Sequence, residues 1–147
     1  MRESLKPKIG VICYANYCRS PVAEQFLNKR FNRQIDFFSA GIEPIYRGGM
    51  DPRSYKFLSS EGIAQKIHQP KKISVNMIKA SDVIFAIDFH ILEFLTKNFK
   101  KYSEKFRIFS SENSFHEIRD PFDLDEKAYQ EIMVHIKKIS YEIKINF

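Results

Sequence analysis

The residues best able to do chemistry in this sequence are Cys13 and Arg19. They are separated by five positions in Cys13-Tyr14-Ala15-Asn16-Tyr17-Cys18-Arg19-Ser20-Pro21. A cysteine is a strong nucleophile only as its thiolate, and a nearby guanidinium with a ring of backbone N–H donors favours that form. The same guanidinium offers a planar fork that takes two oxygens of a phosphoryl group. The pair therefore suits attack of sulfur on phosphorus, with arginine and amide hydrogens carrying the charge of the transferring oxygens. A bare Cys-x5-Arg is weak evidence, since a buried cysteine and a surface arginine give the same spacing. Its setting is what gives it weight.

That setting is a strand, a tight loop and a helix start. Residues 8–13 are a short apolar run, as expected of a strand buried inside a parallel sheet. Ser20 is a candidate N-cap and Pro21 suits the first helical turn, opening an amphipathic helix to about Phe31. A loop that runs into a helix N-terminus gathers N–H groups and partial positive charge around one point, which is an anion site. Further along, residues 35–39 read as a second strand and 41–51, with Pro44 and a Gly-Gly pair, as a loop. Asp51-Pro52 starts a helix to about Glu61, closed by Gly62. Residues 81–88 read as a third strand, 90–97 as a helix and 106–109 as a fourth strand. The last helix is expected over 126–145, with Ala128, Ile132, Ile136, Ile139 and Ile143 as a stripe facing the sheet. Strands alternating with helices predict an α/β fold, a single-domain three-layer sandwich over 1–147 with a four-stranded parallel sheet and helices on both faces. Ligands of such sheets bind beyond the carboxyl ends of the strands, which is where Cys13 falls.

Composition narrows the classes further. A chain of 147 residues at 44% hydrophobic is long enough for one domain with a full core. It has no run of 18 apolar residues, so no membrane span is expected. Its polar start with Glu3 is unlike a signal peptide. Two cysteines with four residues between them form no disulfide scaffold, and no Cys/His cluster has zinc spacing. The chain thus reads as cytoplasmic, metal-free and without a cofactor. The net charge of +6 is spread along the chain, where a nucleic-acid binder would more often show a basic face with interleaved aromatics. Solvated faces are the better reading, and no nucleic-acid partner is expected.

Residues 13–21 resemble the signature of the low molecular weight protein tyrosine phosphatases, Cys-x-Gly-Asn-x-Cys-Arg-Ser-Pro. The resemblance extends through Ser39-Ala40-Gly41, Asp51-Pro52-Arg53, Gly62-Ile63, His68-Gln69-Pro70-Lys71, the stretch from Ser81 to Asp88, and Asp120-Pro121-Phe122. It implies a flavodoxin-like fold and a metal-independent hydrolase of protein phosphotyrosine, working through a phospho-cysteine as a monomer. Phosphate, sulfate or vanadate would occupy the loop formed by Tyr14, Ala15, Asn16, Tyr17, Cys18 and Ser20. The resemblance also implies that Cys13 is the nucleophile and that Arg19 grips the phosphoryl oxygens. Asp120 would protonate the leaving phenolate and then activate water. On sequence alone Asp120 is equally an Asp-Pro turn opener, with Asp123 and Asp125 as rival carboxylates. By the same resemblance, Ser39 and His68 join Asn16 and Ser20 in a network that holds the loop, while Ile45, Tyr46 and Phe122 stand at the pocket wall. Cys18 would be able to pair with an oxidised Cys13.

Several positions depart from the pattern. Ala15 replaces a glycine, and a Cβ there is expected either to cost about 1 kcal/mol or to distort the donor ring. Tyr17 is expected to narrow the slot or stack on a substrate ring. Three other readings compete. Phosphoarginine phosphatases share the loop and differ at the position of Tyr17. A phosphate-binding relative with impaired turnover would fit Ala15. Thioredoxin-linked arsenate reductases need two later cysteines, and this chain has none after Cys18.

Overall fold

The computed structural model describes residues 6–63, 67–113 and 117–146. The polar start, Met1 to Leu5, lies outside them. Five consecutive buried residues, Ile9 to Cys13, leave β1 (Lys8–Cys13) no polar face, so it must be covered on both sides. It is one of the two inner strands of a parallel sheet with the order β2-β1-β3-β4, pairing with β2 (Asp36–Gly41) and β3 (Val83–Ala86), while β4 (Phe106–Ile108) pairs with β3. Cys13 is level with Gly41 in the β1–β2 register.

From β1 the chain goes out through α1 (Ser20–Phe31) to β2, then crosses back to β3 and continues through α4 (Phe89–Asn98) to β4. Right-handed crossovers in opposite directions put α1 and α4 on opposite faces of the sheet. The reversal falls between β1 and β3, where the carboxyl ends of two neighbouring strands open a crevice. Between β2 and β3 lie α2 (Pro52–Ser60) and α3 (Val75–Lys79), and α5 (Glu126–Glu142) closes the chain against α1 and α2. Val22, Ala23, Phe26 and Leu27 form the buried face of α1. Each large apolar side chain buried in this way contributes about 1.5–3 kcal/mol.

The fold class and the principal elements match the expectations, and the differences have local causes. The third strand stops at Ala86 because Asp88 turns back to cap α4, its Oδ1 accepting from the Ile91 amide. The second strand runs two residues further, to Gly41, because Gly41 continues the pairing with Cys13. Helix α3, capped by Ser74, and a 3-10 turn at Lys100–Lys105 were not predicted. Both are too short to show a hydrophobic period. Helix α5 stops at Glu142, where Arg30 of α1 donates to the carbonyls of Ser140 and Ile143. Its buried stripe is Tyr129, Met133, Ile136 and Ile139 rather than one starting at Ala128 and Ile132, and it meets α1 and α2. Ser20 is not the N-cap: Arg19 holds that position without a side-chain cap, and the Ser20 hydroxyl turns into the loop instead.

Candidate active site

Between β1 and α1 the chain turns through a loop whose carbonyls are all used outside it. The carbonyls of Cys13, Tyr14 and Ala15 accept from the amides of Ile42, Glu43 and Ile45 on the segment after β2. That of Asn16 accepts from His68 Nε2 at 2.8 Å, that of Tyr17 from the Asp51 amide and that of Cys18 from Ser54 Oγ. The Arg19 carbonyl takes the first bonds of α1. Within each peptide unit N–H and C=O point in opposite directions, so outward carbonyls turn the N–H groups of residues 14 to 19 toward the middle of the loop. The result is an anion cradle enforced by its surroundings. Gly41 makes the close approach feasible: a Cβ there would stand 2.7 Å from the Asn16 nitrogen and 2.8 Å from the Tyr14 oxygen.

Asn16 is the internal brace. Its backbone is left-handed, with φ of 51°, a conformation that costs a non-glycine residue on the order of 1–3 kcal/mol and least for asparagine. Three hydrogen bonds offset that cost. Nδ2 donates to Ser20 Oγ at 2.9 Å and to Ser39 Oγ at 3.0 Å, and Oδ1 accepts from the Lys71 amide at 3.0 Å. Because Ser20 Oγ accepts from Asn16, its own proton is directed at Cys13 Sγ, 2.9 Å away. Ser39 passes its proton outward to Glu24 Oε1 at 2.6 Å. His68 donates through Nε2–H, and burial holds its pKa below the ordinary value, opposed by the bond to Asn16 and reinforced by Lys71. It is a neutral donor near pH 7. The strained position is therefore Asn16 and not Ala15, whose φ is negative; the expected distortion from its Cβ does not arise.

Arg19 is 2% exposed and enters from the helix side. Its Nη1 donates to Asp88 Oδ2 at 2.7 Å and to the Ile118 carbonyl at 2.8 Å. This leaves the Nε–Nη2 edge, the side that grips two oxygens at once, to face an anion. Burial opposes the charged guanidinium, but Cys13, Asp88 and Asp120 outweigh it and the net shift is upward. Asp88 thus caps α4 with one oxygen and anchors Arg19 with the other.

A cavity of about 180 Å³ opens over this loop, lined by Tyr14, Ala15, Cys18 and Arg19, with Ile45 and Phe122 as apolar wall and the carboxylates of Asp120 and Asp123. Cys13 is itself 2% exposed and is not part of that lining; its sulfur lies deeper, beside Ser20. Asp120 is exposed, and its Oδ1 accepts from the Phe122 amide at 3.1 Å, the turn that an Asp-Pro pair favours. Asp125 is removed from the rivalry because it caps α5. Tyr46 is 69% exposed and stands outside the lining, while Ile45 beside it is part of the wall. Tyr17 does not line the cavity either. It is buried, with its ring 6.1 Å from that of Phe122. Larger open grooves near Lys6, Lys8 and Arg33 flank the amino ends of β1 and β2, away from Cys13.

The two cysteines are both free and differ in surroundings. Burial, with Asp51, Cys13 and Asp120 adding to it and a bond to Tyr129 opposing it, pushes the Cys18 thiol up to about 12. Cys18 thus remains protonated at neutral pH. Sequence reasoning did not single out Asp88, Gly41, Glu24, Ser54 or Arg53 for the site. An aspartate that ends a strand and starts a helix was the one available signal for Asp88, and nothing local marked the others.

Fold and site together define a cysteine-and-arginine phosphate loop at the switch point of a parallel sheet. The family model for low molecular weight phosphotyrosine protein phosphatases matches residues 8–143. The chain belongs to that family. Among its relatives is the low molecular weight protein-tyrosine-phosphatase Wzb of Salmonella typhi, 28% identical over 131 residues, which cover 89% of this chain and 87% of that protein. Similar folds are those of Vibrio vulnificus Wzb in complex with benzylphosphonate, at TM-score 0.83 and 23% identity over 92% of this chain and 94% of that one, and of the YwlE arginine phosphatase of Geobacillus stearothermophilus, at TM-score 0.82 and 19% identity over 91% and 88%. No helix among the described residues is long and apolar enough to cross a membrane.

Proposed function

We propose that residues 1–147 act as one phosphatase domain that hydrolyses protein phosphotyrosine in two steps. In the first, Cys13 Sγ attacks phosphorus while the P–O bond to the aryl group breaks, and Asp120 gives its proton to the leaving phenolate oxygen. In the second, water attacks the phospho-cysteine, the Asp120 carboxylate takes its proton, and the S–P bond breaks to return thiolate and inorganic phosphate. Through both steps the inward amides of residues 14–19 and the free edge of Arg19 hold the equatorial oxygens. Ser20 gives the sulfur a hydrogen-bond donor, and Asn16, Ser39 and His68 keep the cradle in shape.

The observation that carries this reading is the loop whose carbonyls from Cys13 to Arg19 are all bound from outside. That arrangement leaves only donors facing the centre, which suits a tetrahedral oxyanion. The apolar wall of Ile45 and Phe122 favours a flat aryl ester over the charged, hydrogen-bonding guanidine of phosphoarginine. A thiol nucleophile needs reducing surroundings, which supports a cytoplasmic location, and nothing in the chemistry requires a second subunit. The test is hydrolysis of p-nitrophenyl phosphate without added metal, its inhibition by vanadate, and the rates on phosphotyrosine and phosphoarginine peptides. Faster phosphotyrosine turnover is expected. Preference for phosphoarginine would move the substrate class, and vanadate-insensitive turnover would remove the phospho-cysteine.

A further inference from the structure

Arg53, at the start of α2, is far more heavily engaged than a capping role requires. Its Nε donates to Asp51 Oδ1 at 3.0 Å and its Nη2 to Asp51 Oδ2 at 2.9 Å. Nη1 and Nη2 also donate to the carbonyls of Leu124 and Phe122, at 3.1 and 3.0 Å. The guanidinium carbon lies 4.0 Å from the centre of the Tyr129 ring on α5. Its planar fork is thereby fixed on one side to a buried carboxylate and on the other to the two carbonyls that frame Asp123. Asp51 in turn donates its amide to the Tyr17 carbonyl of the phosphate loop. At the other end of the chain of contacts, the Phe122 amide donates to Asp120 Oδ1.

We infer that Arg53 is a positioning residue for proton transfer, a clasp that sets the Asp120 loop at a fixed distance from the phosphate loop. The route is continuous: Tyr17 carbonyl, Asp51, Arg53, the peptide groups of Phe122, and the Asp120 carboxyl. Asp120 and its neighbours Phe122 and Asp123 are exposed and lack any strand or helix of their own. Besides the clasp, the described ties of this segment to the phosphate loop are the Ile118 carbonyl on Arg19, the attraction between Arg19 and Asp120, and the Phe122 ring against Tyr17. Lysine cannot replace the fork, because one ammonium does not span two carbonyls and a carboxylate in a plane. The inference rests on Asp120 being the acid, and it adds a residue that touches neither phosphate nor phenol.

Four variants of the full chain test it: Arg53→Met, Arg53→Lys, Asp120→Asn and the Arg53→Met/Asp120→Asn double. Each is assayed on phenyl phosphate, whose leaving group needs a proton, and on 2,4-dinitrophenyl phosphate, whose leaving group does not. Inhibition by inorganic phosphate reports the cradle itself. Arg53→Met is expected to lower kcat on phenyl phosphate between about 10- and 100-fold, the size of loss that small misplacements produce, with little change on the dinitrophenyl ester or in phosphate inhibition. Adding it to Asp120→Asn should cost nothing more, since the two act through one proton. Equal losses on both substrates, weakened phosphate inhibition, or a further loss in the double variant would overturn the clasp. If Arg53→Met does not fold, Arg53→Lys decides by the same criteria at reduced size. Should Asp120→Asn itself show no dependence on the leaving group, it is the acid assignment that falls; a normal Asp120→Asn result beside an unaffected Arg53→Met removes the clasp alone.

Discussion

The two loops that meet over Cys13 are built on opposite plans. The phosphate loop is almost wholly buried, its carbonyls are tied to four separate segments, and Asn16 fixes it from within. The loop around Asp120 is exposed, begins with an Asp-Pro turn and is held by Arg53, by one ring contact and, at its entry, by the Ile118 carbonyl on Arg19. The contrast fits the roles proposed for the two loops. Stabilising charge on transferring oxygens works only if the donors are in place beforehand, because donors that must reorganise return the gain. Delivering a proton to a leaving group requires a carboxyl at the mouth of the cavity, where substrate enters and product departs. One loop is paid for in buried polar networks, the other left open.

The comparison breaks most clearly at the cysteine. Cys13→Ser is expected to abolish turnover of p-nitrophenyl phosphate while leaving inorganic phosphate bound, as calorimetry would show; residual hydrolysis at the wild-type level would exclude the sulfur. Next in size, Asp120→Asn should lower kcat on phenyl phosphate by about 10² to 10⁴ with far less effect on the dinitrophenyl ester. A uniform loss would transfer the role to Asp123. Arg19→Lys should cost roughly 10² to 10³ in kcat/KM, as loss of an oxyanion donor does, and should weaken phosphate as well, since the Nε–Nη2 edge is absent from lysine. Wild-type kinetics there would take Arg19 out of the site.

Two smaller effects sharpen the contrast. Gly41→Ala puts a methyl against loop backbone, and such overpacking costs about 1–3 kcal/mol. Urea denaturation together with phosphate affinity checks it; a stability loss with unchanged affinity would mean that the loop yields without losing its shape. The smallest effect concerns pH. His68 is held below its ordinary pKa in the fold, whereas the unfolded ring takes up its proton at about 6.5. The stability it contributes is therefore complete above about pH 6.5 and is lost as pH falls from there through the lower folded value. Between pH 7.5 and 5.5 the wild type should lose more in Tm than His68→Gln, which keeps an N–H donor but does not titrate. Equal losses would assign the acid sensitivity elsewhere.

Much of the scaffold was readable along the chain. The apolar run at 8–13, the Ser-Pro helix start and the alternation of strands and helices fix a parallel sheet with Cys13 at a carboxyl end, because burial on both faces and hydrogen-bond geometry leave few other solutions. Resemblance in the stretch 13–21 then supplied the chemistry, and that of Asp120-Pro121-Phe122 singled out Asp120 among three nearby carboxylates. Short elements such as α3 escaped, since five residues do not complete a hydrophobic period. For α5, Ile136, Ile139 and Ile143 are buried as expected, but the first two positions of the stripe are Tyr129 and Met133 rather than Ala128 and Ile132, because isoleucine and alanine spacing alone does not reveal that those two are buried.

The order of residue types in the loop, and so the presence of a thiol and a guanidinium on one turn, was settled by the sequence itself. Which way the peptide groups of that turn face was settled only by Ile42, Glu43, Ile45, Asp51, Ser54 and His68. Those six lie far from the loop in the chain and beside it in space. An amide's direction is set by what its carbonyl bonds to, and for a loop without internal backbone–backbone hydrogen bonds that partner is a matter of tertiary contact alone.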